Sequence, residues 1–333
     1  MTGGGKQCFF AWLSQIRQAH PGYKRFVPFV ILVSFVVQPC ANSRTDRTST
    51  QSHLPNTWPT CYNEDDESLL GVTNVTDELK AKAQAQFGAS AAAYATSSVH
   101  ARGESLALLV ELVEPGRDWG ALDVGTGAGH TALAFAPHVA HVVATDLTGE
   151  MLAKTAELAA ERGLTNIETK AADAETLPFE NGSFDLVTCR LAFHHFPNSR
   201  QAVGEFARVL KPGGVLGFTD NVVVPDKKAA GYYNAYEKLR DPSHHWVYPL
   251  VRLQAMFEGA GLSLLVTRQL SKEFEFHAWA DRQRASEAVK EKLLDLMRNV
   301  PEALEPLFAP RWADDTLYFS LWEAVIVAES EYG

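Results

Sequence analysis

Short apolar runs alternate with amphipathic stretches from residue 119 to residue 220. The runs at 119–124, 141–146, 166–171, 184–190 and 214–220 predict buried strands, and the stretches at 129–136, 149–162 and 199–210 predict helices between them. Strand and helix in regular alternation predict a parallel sheet covered on both faces. Upstream, Thr76-Asp77-Glu78 can cap a helix that runs to about Phe87, with Gly88 ending it. A second helix over 101–114 places Leu106, Leu109, Val110 and Val113 on one face, and Pro115-Gly116 stops it. Beyond residue 225 the regularity breaks. A polar, aromatic-rich stretch covers 226–248, then come a helix at 249–259, a strand at 262–270, helices across 285–309 and a last strand at 316–328. No segment repeats.

The first 74 residues have a different character. Residues 1–45 hold no Asp or Glu, and 26–37 form a 12-residue apolar run with basic residues before it. A membrane-spanning helix needs about 20 such residues, so the run has the length of a signal-peptide core. Residues 41–74 are polar, with an acidic cluster at 64–68, the composition of a linker. The expected organisation is a leader over 1–74 and one folded domain over 75–333. A targeting or anchoring segment is the second reading of the leader, and a packed accessory element the third. Membrane contact is expected only through 26–37.

Composition narrows the function. The chain has 333 residues, 46% of them hydrophobic, ample material for a core. Its formal net charge of -10 leaves no broad surface for a phosphate backbone, so no nucleic-acid partner is expected. Cys8, Cys40, Cys61 and Cys189 are too scattered for a disulfide framework or a metal site, which suits a reducing, cytoplasmic setting.

Five motifs carry candidate chemistry. Asp123-Val124-Gly125-Thr126-Gly127-Ala128-Gly129-His130 sits where a strand turns into a helix, and glycines there let a ligand approach the backbone and the free N–H groups. Its spacing is GxGxG, so it departs from the dinucleotide fingerprint, and no phosphate-loop lysine follows. Asp146 ends the next strand, placed either to accept ribose hydroxyls or to cap the helix near Thr148. Asp173, in ADAETLPF, falls at the same sheet rim or in an ordinary surface turn. The strand FDLVTCR delivers Arg190 and the pair His194 and His195 to that rim, and a helix ends in Lys211-Pro212-Gly213-Gly214 before the fifth strand.

In order and spacing these motifs resemble the class I S-adenosylmethionine-dependent methyltransferases, and within them the ubiquinone/menaquinone biosynthesis subgroup. The resemblance is strongest over 85–225. It implies an α/β fold: a Rossmann-like, doubly wound, seven-stranded, mostly parallel sheet with a reversed C-terminal hairpin and helical caps at about 75–105, 226–250 and 280–312. It implies S-adenosyl-L-methionine as cofactor. Gly125, Gly127 and Gly129 would lie along its methionine end, and Asp123 would anchor the amino group directly or through water. Asp146 would hold the ribose with Leu147 against the adenine, Asp173 and Ala174 would meet the adenine amine, and Arg190 would floor the transfer pocket. No metal is expected. The acceptor is expected to be a small molecule, lipophilic or quinone-like by the same resemblance. A non-catalytic cofactor-binding regulator of the same fold is the alternative, and a nicotinamide oxidoreductase is disfavoured by the missing third glycine.

Candidate bases are His194, His195 and His244, against the blander reading that the first two shape a turn. Tyr94, in a segment that folds over the cofactor in the resembling enzymes, is the fourth catalytic candidate, with a packing tyrosine as the other reading. Arg240-Asp241-Pro242-Ser243-His244 falls where they cap the substrate. Trp279, Trp312 and Trp322 are expected in core or hairpin packing.

Overall fold

The computed structural model describes residues 72–96 and 103–331. The leader, with its apolar run at 26–37, lies outside these residues. So does the side chain of Tyr94, whose backbone belongs to the first helix.

The elements follow in chain order as α1 (Val72–Thr96), α2 (Glu104–Val113), β1 (Gly120–Val124), α3 (His130–Phe135), β2 (His141–Asp146), α4 (Gly149–Glu161), β3 (Ile167–Ala171), β4 (Phe184–Arg190), α5 (Ser199–Val209) and β5 (Leu210–Val222). Then come α6 (Lys227–Arg240), α7 (Leu250–Gly259), β6 (Leu262–Glu275), α8 (Phe276–Asp281), α9 (Glu287–Arg298), α10 (Glu305–Phe308), β7 (Arg311–Ala313) and β8 (Thr316–Ser330). The sheet order is β3-β2-β1-β4-β5-β8-β6, with β7 paired to β8 as a short eighth strand. The first five strands are parallel, and β8 enters antiparallel between β5 and β6. The doubly wound sheet and its reversed C-terminal hairpin are as expected; β7 is an addition.

Period-two alternation gives the sheet two cores. On one face Leu122, Val187, Phe218 and Ile326 meet Phe206 of α5 and Phe257 of α7. On the other, Ala121, Leu186 and Val327 meet Leu109 of α2 and Phe135 of α3. A third cluster joins α6, α8, α9 and α10 to Leu317, Phe319 and Leu321 in the first half of β8.

Two expectations change. The first helix starts at Val72, which puts Thr76 inside it rather than at its cap, and it does not end at Gly88 but continues to Thr96, because Phe87 and Ala91 pack on Met151 of α4 and Ala128 of the glycine turn. That contact offsets the roughly 1 kcal/mol a helical glycine costs. The polar, aromatic-rich stretch 226–248 holds α6. The Asp226 carboxylate caps it by accepting the Ala229 N–H at 2.8 Å, and Ala229, Ala230, Tyr233 and Tyr236 form its buried stripe.

Candidate functional site

The glycine turn between β1 and α3 is built on three positive φ angles, 65° at Gly125, 54° at Gly127 and 84° at Gly129. They differ in surroundings. A Cβ at Gly125 would stand 2.6 Å from the Ala192 Cβ, and one at Gly129 would stand 2.6 Å from Thr155 Cγ2. A Cβ at Gly127 would meet nothing within 4 Å. Gly125 and Gly129 are therefore needed for packing, whereas Gly127 borders open space.

Asp123 holds the turn from behind. Its carboxylate accepts Thr126 Oγ1 at 2.6 Å, Thr188 Oγ1 at 2.7 Å and the Ala132 N–H at 3.2 Å, and the residue is 2% exposed. Burial pushes its pKa up to about 6 against those hydrogen bonds and the Arg190 charge. It does not line the cavity described next, so direct contact with a ligand amino group is corrected to bracing of the turn.

The turn opens into a cavity of about 980 Å3 at the C-terminal ends of the parallel strands. Gly125, Gly127, Asp146, Leu147, Asp173, Ala174 and Arg190 line it, and Lys80, Ala83 and Phe87 of α1 roof it. This is the crevice where open α/β sheets bind ligands. Asp146 accepts the Gly127 N–H on Oδ2 and the Thr148 N–H on Oδ1, each at 2.9 Å. It thereby ties the turn to the start of α4, whose N-cap position is Thr148. Burial raises its pKa above the ordinary carboxylate value despite these bonds. Asp173 Oδ1 accepts the Glu175 N–H at 3.0 Å, and Lys80 Nζ bridges Asp173 Oδ2 at 2.7 Å and Glu175 Oε2 at 2.6 Å. Burial works to lower the Lys80 pKa, and the two carboxylates outweigh it and raise it. Arg190 is buried, its Nε donating to Thr131 Oγ1 at 3.2 Å.

A second cavity of about 630 Å3 adjoins the first, and Phe87, Leu191 and His195 line both. Leu191 holds a left-handed φ of 55° there, a strained position for a residue with a Cβ. His195 Nδ1 faces the Ser243 carbonyl at 3.1 Å. Burial, then the neighbouring His194, push its pKa down to about 4, so the ring is neutral. His194 Nδ1 lies 2.6 Å from Asp220 Oδ1, and its backbone N–H donates to Asp220 Oδ2 at 3.0 Å. Burial disfavours its cation, but Asp220, Glu237 and Asp241 prevail and raise its pKa. His194 lines only the second cavity.

His244 lines neither. It is 2% exposed, its Nε2 lies 2.8 Å from Asn234 Oδ1, and burial holds its pKa well below the ordinary histidine value. The expectation that it is a base is corrected: it is a neutral packing residue. Of the tryptophans, Trp279 stacks on Tyr236 and also faces the second cavity, whereas Trp312 of β7 is exposed beneath Arg298. Sequence reasoning missed Lys80 and Asp220. The one usable signal was the carboxylate ending GFTD, the same strand-end pattern that marked Asp146.

A glycine turn that opens into a crevice at the strand ends, with strand-end carboxylates on its rim, is the site of a Rossmann-like nucleotide-cofactor enzyme. Residues 122–218 match the family described as Methyltransferase domain. The chain is 38% identical over 196 residues to "Uncharacterized methyltransferase YcgJ" of Bacillus subtilis, covering 59% of this chain and 78% of that protein. A solved structure from Bacillus halodurans C-125 aligns with a TM-score of 0.66 at 35% identity, over 68% of this chain and 99% of that one. The ubiquinone/menaquinone biosynthesis C-methyltransferase UbiE of Brucella anthropi is 40% identical over 113 residues, 33% of this chain and 42% of the enzyme. The chain belongs to the S-adenosylmethionine-dependent methyltransferases.

Proposed function

We propose that the protein transfers a methyl group from S-adenosylmethionine to a small molecule seated in the second cavity. The observation that carries this is the meeting of the two cavities at Phe87, Leu191 and His195, which leaves one wall common to a donor and an acceptor.

The first cavity fits the cofactor. The free face of Gly127 allows close approach of the methionine portion. Asp146 accepts the Gly127 and Thr148 N–H groups on its two oxygens, and at the cavity rim those oxygens would also accept the ribose hydroxyls. Leu147 would offer an apolar side to the adenine, Asp173 and Ala174 would meet its amine, and Arg190 would close the floor. Bound there, the cofactor supplies a methyl group on a positively charged sulfur. The protein's work is then to orient the acceptor in line, exclude water with α1, and dispose of one proton.

The identity to the ubiquinone/menaquinone enzyme favours a quinone-like acceptor as the second reading. Titration calorimetry with S-adenosylmethionine and, as control, NAD tests the cofactor half: binding of the first and not the second is expected. Binding of NAD alone would sink the proposal. Binding without turnover of any acceptor would return it to a regulatory role.

A further inference from the structure

We infer that the second cavity takes a small, water-soluble acceptor bearing a hydroxyl group, and that His194, held by Asp220, removes the hydroxyl proton as the methyl arrives. The inference rests on the methyl-transfer reading and adds the acceptor's class and its base.

The histidine is set from two sides. Asp220, 2% exposed, uses one oxygen on the His194 ring and the other on its backbone N–H. A carboxylate at 2.6 Å from Nδ1 keeps the ring proton on that nitrogen, so the lone pair of the neutral ring sits on Nε2. Nε2 makes no hydrogen bond among the described residues, and the residue lines the second cavity. This is the arrangement by which a carboxylate fixes the tautomer of a base and stabilises its cation.

Polar groups share the rest of the wall with Phe87, Leu191, Phe274, Trp279 and Leu321. The Asn221 carboxamide makes no hydrogen bond among the described residues. Glu323, 3% exposed, gives Oε1 to Lys272 Nζ at 2.9 Å. Arg282 lies over the Phe274 ring. A hydrocarbon tail laid here would strip water from an amide and from charged groups without replacing their hydrogen bonds, at a cost of about 1–3 kcal/mol for each neutral group and more for a charge. A compact molecule with its own donors and acceptors meets no such cost. The planar Phe274 and Trp279 offer faces on which a flat ring could stack. The base narrows the class further. A neutral amine attacks a sulfonium methyl without prior deprotonation, whereas a neutral hydroxyl is a poor nucleophile and needs its proton taken.

The step balances. The acceptor O–H bond breaks and its proton passes to His194 Nε2. The oxygen pair forms the new O–CH3 bond. The C–S bond breaks with its electrons on sulfur, which becomes a neutral thioether, and the positive charge ends on the imidazolium facing Asp220. The groups that face His194 are Asp220 on β5, Glu237 on α6, Asp241 after α6, and the rings of His195 and His244 at 4.1 and 5.6 Å. The three carboxylates favour the cation and set the acid limb of the rate profile above the ordinary histidine value.

The test uses the full chain, S-adenosylmethionine with an isotope-labelled methyl group, and a cell metabolite extract divided between octanol and water. Label is expected in a product of the aqueous fraction, with a methyl-carbon NMR shift showing attachment to oxygen. H194Q should bind S-adenosylmethionine as the wild type does and turn over about 100- to 10,000-fold more slowly. D220N should move the acid limb to lower pH, which loss of a merely structural contact would not do. Label in the octanol fraction, label on carbon or nitrogen, or no labelled product despite cofactor binding overturns the inference, as does full activity of H194Q. Failure to bind S-adenosylmethionine at all would instead strike the methyl-transfer reading beneath it.

Discussion

Replacing Gly127 by alanine separates packing from ligand space, because the three glycines of one turn share positive φ but not surroundings. The left-handed backbone costs an L-residue roughly 1–2 kcal/mol. Lower entropy of the unfolded chain offsets about 0.4–1 kcal/mol of that. Nothing lies within 4 Å of the added methyl at Gly127, so the net cost is about 1 kcal/mol, a fall of roughly 2–4 °C in Tm for a domain of this size. At Gly125 and Gly129 the methyl meets side-chain carbon at 2.6 Å, adding an overpacking cost of about 1–3 kcal/mol. The order reverses for the ligand. At Gly127 the methyl occupies the face offered to S-adenosylmethionine, and a clash of about 1–3 kcal/mol weakens binding roughly 5- to 150-fold. Thermal melting and calorimetry on G125A, G127A and G129A side by side make the check. G127A that binds as tightly as the wild type, or that melts as low as the other two, would refute the reasoning.

Three further outcomes follow from the same geometry. D146A should lower Tm, because the Gly127 and Thr148 N–H groups lose their acceptor, and should also weaken S-adenosylmethionine about 10- to 1000-fold through lost charge-assisted bonds to ribose; a lower Tm with unchanged affinity in calorimetry would leave Asp146 as a brace only. K80M should destabilise the fold by about 1–3 kcal/mol, since buried Glu175 keeps only its two Asn198 donors and the Gln201 contact is to its carbonyl, and chemical denaturation with no loss would deny the bridge any weight. His244 and His245 are both held neutral by burial, the latter at about 4 against an ordinary 6.5. Each of these two rings therefore binds more protons unfolded than folded below pH 6.5, so its own contribution to stability is lost as pH falls from 6.5 toward 4, while the raised Asp123, Asp146 and His194 work the other way. Denaturation midpoints should therefore fall less for H244Q than for the wild type across that window; parallel profiles for the two proteins would contradict the burial assigned to the His244 ring.

Much of the sheet is legible in the chain because β2 and β4 are continuous buried runs bounded by turns, and their expected limits, 141–146 and 184–190, are those observed. Helix α6 is harder to read. Its buried stripe is built from Ala and Tyr, and its mean hydropathy is low although Tyr233 and Tyr236 lie wholly inside. In the site, the glycines and Asp146 announce themselves by position at strand ends. The partners that give them meaning do not. Lys80 reaches Asp173 across 93 residues of sequence, and Asp220 reaches His194 across 26, so the first pairing exists only once α1 lies over the end of β3 and the second only once β4 and β5 are side by side. Asp123 and His244 are hard to place for the complementary reason: a polar residue near a binding motif reads as ligand-facing until hydrogen bonds to Thr126, Thr188 or Asn234 show where its side chain is held.

The position of β8 has a consequence for synthesis on the ribosome. The segment 316–330 is translated after every other strand, yet it lies between β5 and β6, and β6 reaches the sheet only through it. Until it emerges, β5 presents an open hydrogen-bonding edge and β6 has no strand to join, an invitation to mispairing with another nascent chain. The same strand carries Leu317, Phe319 and Leu321 into the helical cluster, so that cluster also waits for β8. A ribosome stalled before residue 316 therefore holds a chain with its glycine turn already encoded but its sheet unfinished. Shortening β8 by a few residues should cost solubility before it alters any group that touches a ligand.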